Sequence, residues 1–299
     1  MTTGPQPALV SIARGRTRAH IAPEAGGRLH QLEVFDGSAW LPLLVAPRSP
    51  AASLREPLDW SSYPMLPWVN RIEAGRFTWR GRLYMLPPAA EGNALHGLGP
   101  FQPWRVESST AAACAISTSF DCRWPFGGRA VQTFAVADTA ITQRIELHAT
   151  RASFPAGVGW HPWFRRDVRP GAAMRVTVDA SHRYETDAMI PTGWLLRATG
   201  DHDLRSGPAI GSRRLDTCYR HPRGDLRVRW DDLELTMRSS PNVGHAVVYT
   251  SPRGVCVEPM TAAIDAFNLL AQGIQGVGVQ IVRPGRPLVA TTRWSWRIS

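Results

Sequence analysis

Hydrophobic and polar residues alternate with a period of two along much of this chain, as in strands with one buried face. Arg28 to Phe35 alternates in this way, Asp36-Gly37 carries a hairpin signal, and Trp40 to Val45 returns. Arg76 to Trp79 and Arg82 to Leu86 flank Arg80-Gly81 as a second hairpin. Val131 to Val136 and Ile141 to Leu147 flank Ala137-Asp138-Thr139 as a third. Further strands are predicted at Met174 to Val178, Leu226 to Trp230, Leu233 to Met237, Ala246 to Tyr249, Val277 to Val282 and Arg293 to Ile298. Only Ala262 to Gln272 reads as a helix, ending ahead of Gly273. Short strands punctuated by 26 glycines and 25 prolines predict an all-β sandwich or barrel. The proline-rich patches at Pro42 to Pro57 and at Pro87-Pro88 read as internal loops. Composition does not shift along the chain and no repeat is visible, so residues 1–299 are expected to form a single domain.

Composition narrows the chemistry. An apolar content of 43% with 19% charged residues describes a globular protein rather than a disordered one. All 34 basic residues are arginines. The lack of lysine excludes Schiff-base catalysis and a Walker-type phosphate loop. The net charge of +10 raises the question of nucleic acid, but the arginines are scattered. They occur in runs no longer than Arg165-Arg166 and Arg213-Arg214, so no nucleic-acid partner is expected. Cys114, Cys122, Cys218 and Cys256 show no metal-ligand spacing, and three of them sit in apolar, strand-like surroundings that suit reduced, buried thiols. Met1 to Pro7 lacks the pattern of a signal peptide, and no stretch reaches the ~18 apolar residues of a membrane span. A cytoplasmic protein with no membrane partner is expected.

Candidate chemistry concentrates in a few segments. Gly157-Val158-Gly159-Trp160-His161-Pro162-Trp163-Phe164 and Val255-Cys256-Val257-Glu258-Pro259-Met260 each place one proton-transfer group directly before a proline. A following proline drives the backbone out of the helical region, so both side chains are expected to project from extended chain. A histidine and a carboxylate held this way suit an acid and base pair. Between Tyr63 and Phe77, Asn70-Arg71 offers an amide and a guanidinium side by side, a fork of donors for several hydroxyls. Ala94-Leu95-His96-Gly97 adds a histidine beside a glycine that would leave room for a ligand. Among the 12 tryptophans, Trp68 and Trp163 are expected nearest a substrate.

Taken together, Asn70-Arg71-Ile72 through Gly75-Arg76-Phe77, Leu95-His96-Gly97, His161-Pro162-Trp163-Phe164, and Glu258-Pro259 through Ala266-Phe267-Asn268 resemble the aldose 1-epimerase (galactose mutarotase) family. The likeness spans about residues 20 to 297, in the family's order, and is nearest to its short bacterial branch. It implies a large antiparallel β-sandwich and an isomerase that interconverts the α and β anomers of a free hexose such as galactose or glucose. His161 matches the family's general acid on the ring oxygen, and Glu258 its general base on the C1 hydroxyl. Arg71 and His96 match residues that hold the ring oxygen and neighbouring hydroxyls. Asp216 matches a substrate-binding aspartate and Asn70 a position in the binding wall. Trp163 and Arg165 stand where many members have tyrosine and asparagine, and Val247 and Met260 where glutamine is frequent.

The expected partner is a small monosaccharide, with no cofactor and no metal. Arg165 and Arg166, directly after the histidine segment, leave open a phosphorylated or acidic sugar. The missing glutamines leave open a non-catalytic sugar-binding module. For His161 to act as acid it should be charged while Glu258 is ionised, with Asp216 as a supporting carboxylate and with Arg71 and burial opposing. A bell-shaped pH dependence is therefore expected.

Overall fold

The protein is described by a computed structural model over residues 8–47 and 57–299. The N-terminal segment 1–7, expected to carry no signal peptide, and part of the first proline-rich patch, 48–56, lie outside the described residues. In chain order the strands begin with β1 (Val10–Arg14), β2 (Thr17–Ala22), β3 (Arg28–Phe35), β4 (Trp40–Pro42), β5 (Ser62–Met65) and β6 (Arg71–Ile72). They continue with β7 (Arg76–Trp79), β8 (Arg82–Met85), β9 (Ala94–Leu95), β10 (Arg105–Ser109), β11 (Ala113–Ser119), β12 (Arg129–Ala137) and β13 (Ala140–His148). Next come β14 (Phe154–Ala156), β15 (Gly159–Phe164), β16 (Met174–Thr177), β17 (His182–Asp187), β18 (Ile190–Arg197) and β19 (Asp216–Arg220). The last are β20 (Leu226–Trp230), β21 (Leu233–Ser239), β22 (His245–Thr250), β23 (Val255–Met260), β24 (Gln280–Val282) and β25 (Leu288–Ile298), with one α-helix, α1 (Ala266–Ala271), before β24.

Two antiparallel sheets dominate. An 11-stranded sheet runs β1-β2-β3-β5-β15-β23-β22-β19-β17-β18, with β4 beside β3. An 8-stranded sheet runs β10-β11-β12-β13-β25-β21-β20-β16. Their facing sides share one hydrophobic cluster. Ile21 and Leu29 from the first sheet join Phe134, Ile145 and Trp294 from the second. The antiparallel sandwich expected from the family resemblance is the observed architecture.

The first sheet carries a second apolar layer on its other face, and side-chain parity explains it. Along β23, Val255 and Val257 enter the inter-sheet core, whereas Cys256 and Met260 join a separate cluster with Tyr63, Met65, Trp163 and Val247. β15 divides in the same way, with Trp160 and Phe164 inward and Trp163 outward. Both strands are buried at every residue. They lie mid-sheet under cover on both faces, which is why they read as apolar runs rather than as alternation.

The hairpins form where the turn chemistry placed them. Arg80 and Gly81, both with positive φ, close β7–β8, and Asp138-Thr139 closes β12–β13. The Asp36 carboxylate accepts bonds from the amides of Ser38 and Ala39 in a longer β3–β4 loop. Boundaries moved elsewhere. The helix shrinks to Ala266–Ala271, and the segment from Val277 becomes a strand only at Gln280. The last strand begins at Leu288 rather than Arg293, because it pairs with both β13 and β21.

Candidate active site

The two pre-proline residues meet across one strand pair. β15 and β23 are antiparallel with Gly159 opposite Met260 and Trp163 opposite Cys256, a register that sets His161 opposite Glu258. Pro162 and Pro259 donate no amide hydrogen bonds, and the ladder between the two strands lapses between those two ends. His161 Nε2 lies 3.2 Å from Glu258 Oε1. Both side chains are almost wholly buried, at 6% and 1% exposure. His161 Nδ1 and Glu258 Oε2 have no hydrogen-bond partner among the described residues.

They form the floor of a pocket of about 280 Å³, lined also by Tyr63, Asn70, Arg71, His96, Trp163, Asp216 and Tyr249. Every residue assigned to the site by resemblance therefore borders this one hollow. A larger hollow of about 820 Å³ lies by Arg175, Arg227 and Arg229. Its lining holds no histidine and no buried carboxylate, so the groups suited to proton transfer lie in the smaller one.

A small ribbon aims the polar wall. β6 and β9 pair with Arg71 opposite Leu95, and the His96 amide donates to the Asn70 carbonyl at 2.8 Å. Asn70 and His96 both hold left-handed backbone, φ 48° and 57°. Such strain persists where surrounding contacts impose it, often at functional sites. Gly97 serves that frame rather than a ligand. A Cβ there would come within 2.0 Å of the Leu66 carbonyl oxygen, so the glycine permits two backbones to approach. The expectation that it opens space for substrate is corrected accordingly.

Arg71 is held on three sides. Its guanidinium pairs with Glu91 at 2.8 Å, donates to the Asn70 amide oxygen at 3.1 Å and stands 3.8 Å from Asp216. From behind, the Arg71 carbonyl accepts the Asp265 amide, and the Asp265 carboxylate accepts from the Glu73 amide and the Asn268 side chain. Burial pushes the Asp265 carboxyl up to about 6.

The aromatic wall differs in part from expectation. Trp163 lies on the pocket side of β15 and donates its indole N–H to the Leu58 carbonyl. Trp68 does not line the pocket. It sits in the inter-sheet core, stacked on Trp124 at 5.8 Å, in a bend beyond the end of β5 where strand alternation no longer sets the side-chain direction. Tyr63, Tyr249, Met189 and Glu91 were not identified from sequence. None carries a local signature, although Tyr63 opens the Tyr-Pro-Met-Leu-Pro segment already singled out.

Electrostatics differ from the sequence expectation in one respect, the part played by Asp216. Burial, helped by the positive charges of Arg71 and Arg28, pushes the His161 imidazolium down to about 3. Burial, and then Asp216, pushes the Glu258 carboxyl well above its ordinary range, with Arg71 opposing. Asp216 thus acts on Glu258 rather than keeping His161 charged. Its own carboxyl is raised by burial despite Arg71. Burial drives His96 towards neutrality as well. Its Nδ1 faces the Met65 sulfur at 3.1 Å. The Arg165 guanidinium turns to Asp167 and lies outside the pocket.

His161, Cys256 and Glu258 offer ligand atoms within 4.8 Å of one another, a donor set that a thiophilic divalent ion could use. The Cys256 thiol is held protonated by burial and by Glu258, and Arg71 lies close to the carboxylate. All four cysteines are free thiols. No helix among the described residues is long and apolar enough to cross a membrane.

The pattern of the aldose 1-epimerase family matches residues 8–293. Escherichia coli K12 YihR is 24% identical over 293 residues, covering 93% of this chain and 90% of YihR. Escherichia coli K12 YphB is 35% identical over 112 residues, 36% of this chain and 37% of YphB. A galactose mutarotase-like protein of Clostridium acetobutylicum superposes with a TM-score of 0.85 at 18% identity, covering 97% of this chain and 95% of that one. An aldose epimerase homologue from C. elegans gives 0.85 at 18% identity, covering 97% and 99%. At such identities the structural likenesses carry the fold alone.

Proposed function

Because this chain belongs to the aldose 1-epimerase family, we propose that it interconverts the α and β anomers of a free hexose such as galactose or glucose in the pocket above His161 and Glu258. One observation carries the reading: an imidazole and a carboxyl 3.2 Å apart at the base of a pocket of monosaccharide scale.

Anomer exchange needs the ring opened, C1–C2 rotated and the ring closed on the other face of the aldehyde. Glu258 as carboxylate takes the proton from the C1 hydroxyl while His161 as imidazolium gives one to the ring oxygen. The C1–O5 bond breaks and the C1–O1 bond becomes a carbonyl. The pair then stands as neutral His161 and protonated Glu258, and ring closure reverses both transfers. Each half-reaction moves one proton in and one out, so the pair carries a single proton throughout. Burial favours the tautomer that accompanies the open aldehyde, since it places no charges in the pocket. Arg71 offsets part of that bias by stabilising ionised Glu258. Asn70, Arg71, His96 and Asp216 supply hydrogen-bonding groups to ring hydroxyls, and Trp163 offers an apolar wall to the C–H face.

Polarimetry on freshly dissolved α-glucose and α-galactose tests this. The parent protein should accelerate approach to equilibrium, and Glu258→Gln and His161→Asn should each lower kcat by at least about 10²-fold. No acceleration over buffer across a panel of free aldoses would overturn the proposal.

A further inference from the structure

Beyond the pocket, across the wall formed by Asp216 and Tyr249, lies an open groove of about 630 Å³. Arg166, Arg213 and Arg214 line it, together with Ser212. Their charges are not equally satisfied. Arg213 pairs with Asp201 at 3.1 Å. Among the described residues Arg166 donates only to backbone carbonyls, those of Ser251 at 3.1 Å and Gly211 at 3.2 Å. Carbonyl acceptors fix a guanidinium in place without cancelling its charge. Arg214 is exposed and has no hydrogen-bond or ion-pair partner among the described residues. The carboxylate in the shared wall, Asp216, is answered from the pocket side by Arg71 at 3.8 Å. The groove thus presents two guanidinium charges with no carboxylate partner among the described residues, one held by backbone carbonyls and one exposed.

We infer that this groove is a subsite for an oxyanion, a carboxylate or a phosphate ester, carried by the sugar whose ring occupies the neighbouring pocket. This inference rests on the anomerase reading for the ring and extends it to the substrate's charge. Guanidinium groups bind such oxyanions through paired N–H donors, and a partly enclosed wall screens the attraction less than open solvent does. The role falls to Arg166 with Arg213 and Arg214. Arg165, the other half of the sequence pair, is spent on Asp167.

Polarimetry or exchange NMR on glucose, glucuronic acid and glucose 6-phosphate, in the parent and in Arg214→Glu, tests the subsite. At least one acidic sugar should show a KM about tenfold or more below that of glucose, the scale of a hydrogen bond to a charged group. Arg214→Glu should erase that preference, and the favoured acid identifies the anion. Equal or weaker KM values for both acids would overturn the subsite while leaving glucose turnover, and with it the anomerase reading, intact. Calorimetric titration with the same two acids separates the reverse case. Binding that is lost in Arg214→Glu without turnover of any sugar would uphold the groove and remove the anomerase.

Discussion

The Tyr63 phenol ring stacks on the His161 imidazole, with centroids 4.5 Å apart and planes inclined by 20°. The two residues are direct partners in the β5–β15 ladder, so the stacking follows from register. Behind Tyr63 lies buried Arg28, its guanidinium 3.9 Å from the Trp60 ring and 5.5 Å from the Tyr63 ring. The Tyr63 hydroxyl has no hydrogen-bond partner among the described residues. Tyr63→Phe should therefore raise thermal stability by relieving a buried unsatisfied group, about 1 kcal/mol or more, with kcat close to the parent's. Tyr63→Ala should cost about 3–5 kcal/mol of stability through the cavity it leaves. It should also lower kcat by freeing the imidazole. Denaturation curves with polarimetry on both variants check this, and a Tyr63→Phe protein as slow as Tyr63→Ala would give the hydroxyl a direct part in the reaction.

The pH profile should be broader than two independent groups would give. With two protons the pair places a positive charge in the pocket, and with none it places a negative one. With one proton it is neutral. Burial opposes both charged states, so gain of the second proton moves to lower pH and loss of the shared proton to higher pH. An isolated glutamate and histidine would confine activity between about pH 4.3 and 6.5. The expected kcat/KM is level across that interval and past both ends. A narrow peak inside it would show that the pair titrates as if solvated.

Val247 faces Glu258 across the β22–β23 ladder and gives its carboxyl an apolar neighbour. A glutamine there could donate to the unpartnered Glu258 Oε2 and favour the ionised form. Val247→Gln should therefore shift the basic limb of the profile to lower pH and leave the acid limb in place. A basic limb that does not move would mean that the amide fails to reach Glu258.

The β17–β18 hairpin turns on Ala188 and Met189, with φ 43° and 69°, where Asn-Gly is the unstrained choice. Met189 also lines the pocket. Replacing the pair by Asn-Gly should stabilise the protein by about 1 kcal/mol or more by relieving that backbone strain. It should also raise KM, because one wall of the pocket is removed. Scanning calorimetry and initial rates check the two effects separately. An unchanged KM would leave Met189 with no contact to substrate.

What could be read in the sequence followed physical locality. The β7–β8 and β12–β13 turns were legible because their geometry depends on two or three adjacent residues. The pre-proline rule put His161 and Glu258 in extended backbone because Pro162 and Pro259 act on their immediate neighbours. Arg105–Ser109 was missed because all five residues of this edge strand are exposed and show no apolar alternation. Tyr63, Tyr249 and Met189 were missed because they reach the pocket from separate strands and a hairpin tip.

Trp68 marks the boundary between the two kinds of information. Its size and apolarity were evident, but which face it occupied depended on chain geometry after Pro67, and that geometry buried it against Trp124. The charge state of the candidate pair belongs to the same class. The sequence by itself determined that an imidazole and a carboxyl would stand on extended, proline-flanked segments among strands. Only the tertiary structure decided that they face each other at 3.2 Å in a buried floor where desolvation opposes a charge on either group. Backbone preference is set within a few residues, whereas desolvation sums over every atom that excludes water, and those atoms come from β5, β15, β19, β22 and β23 together.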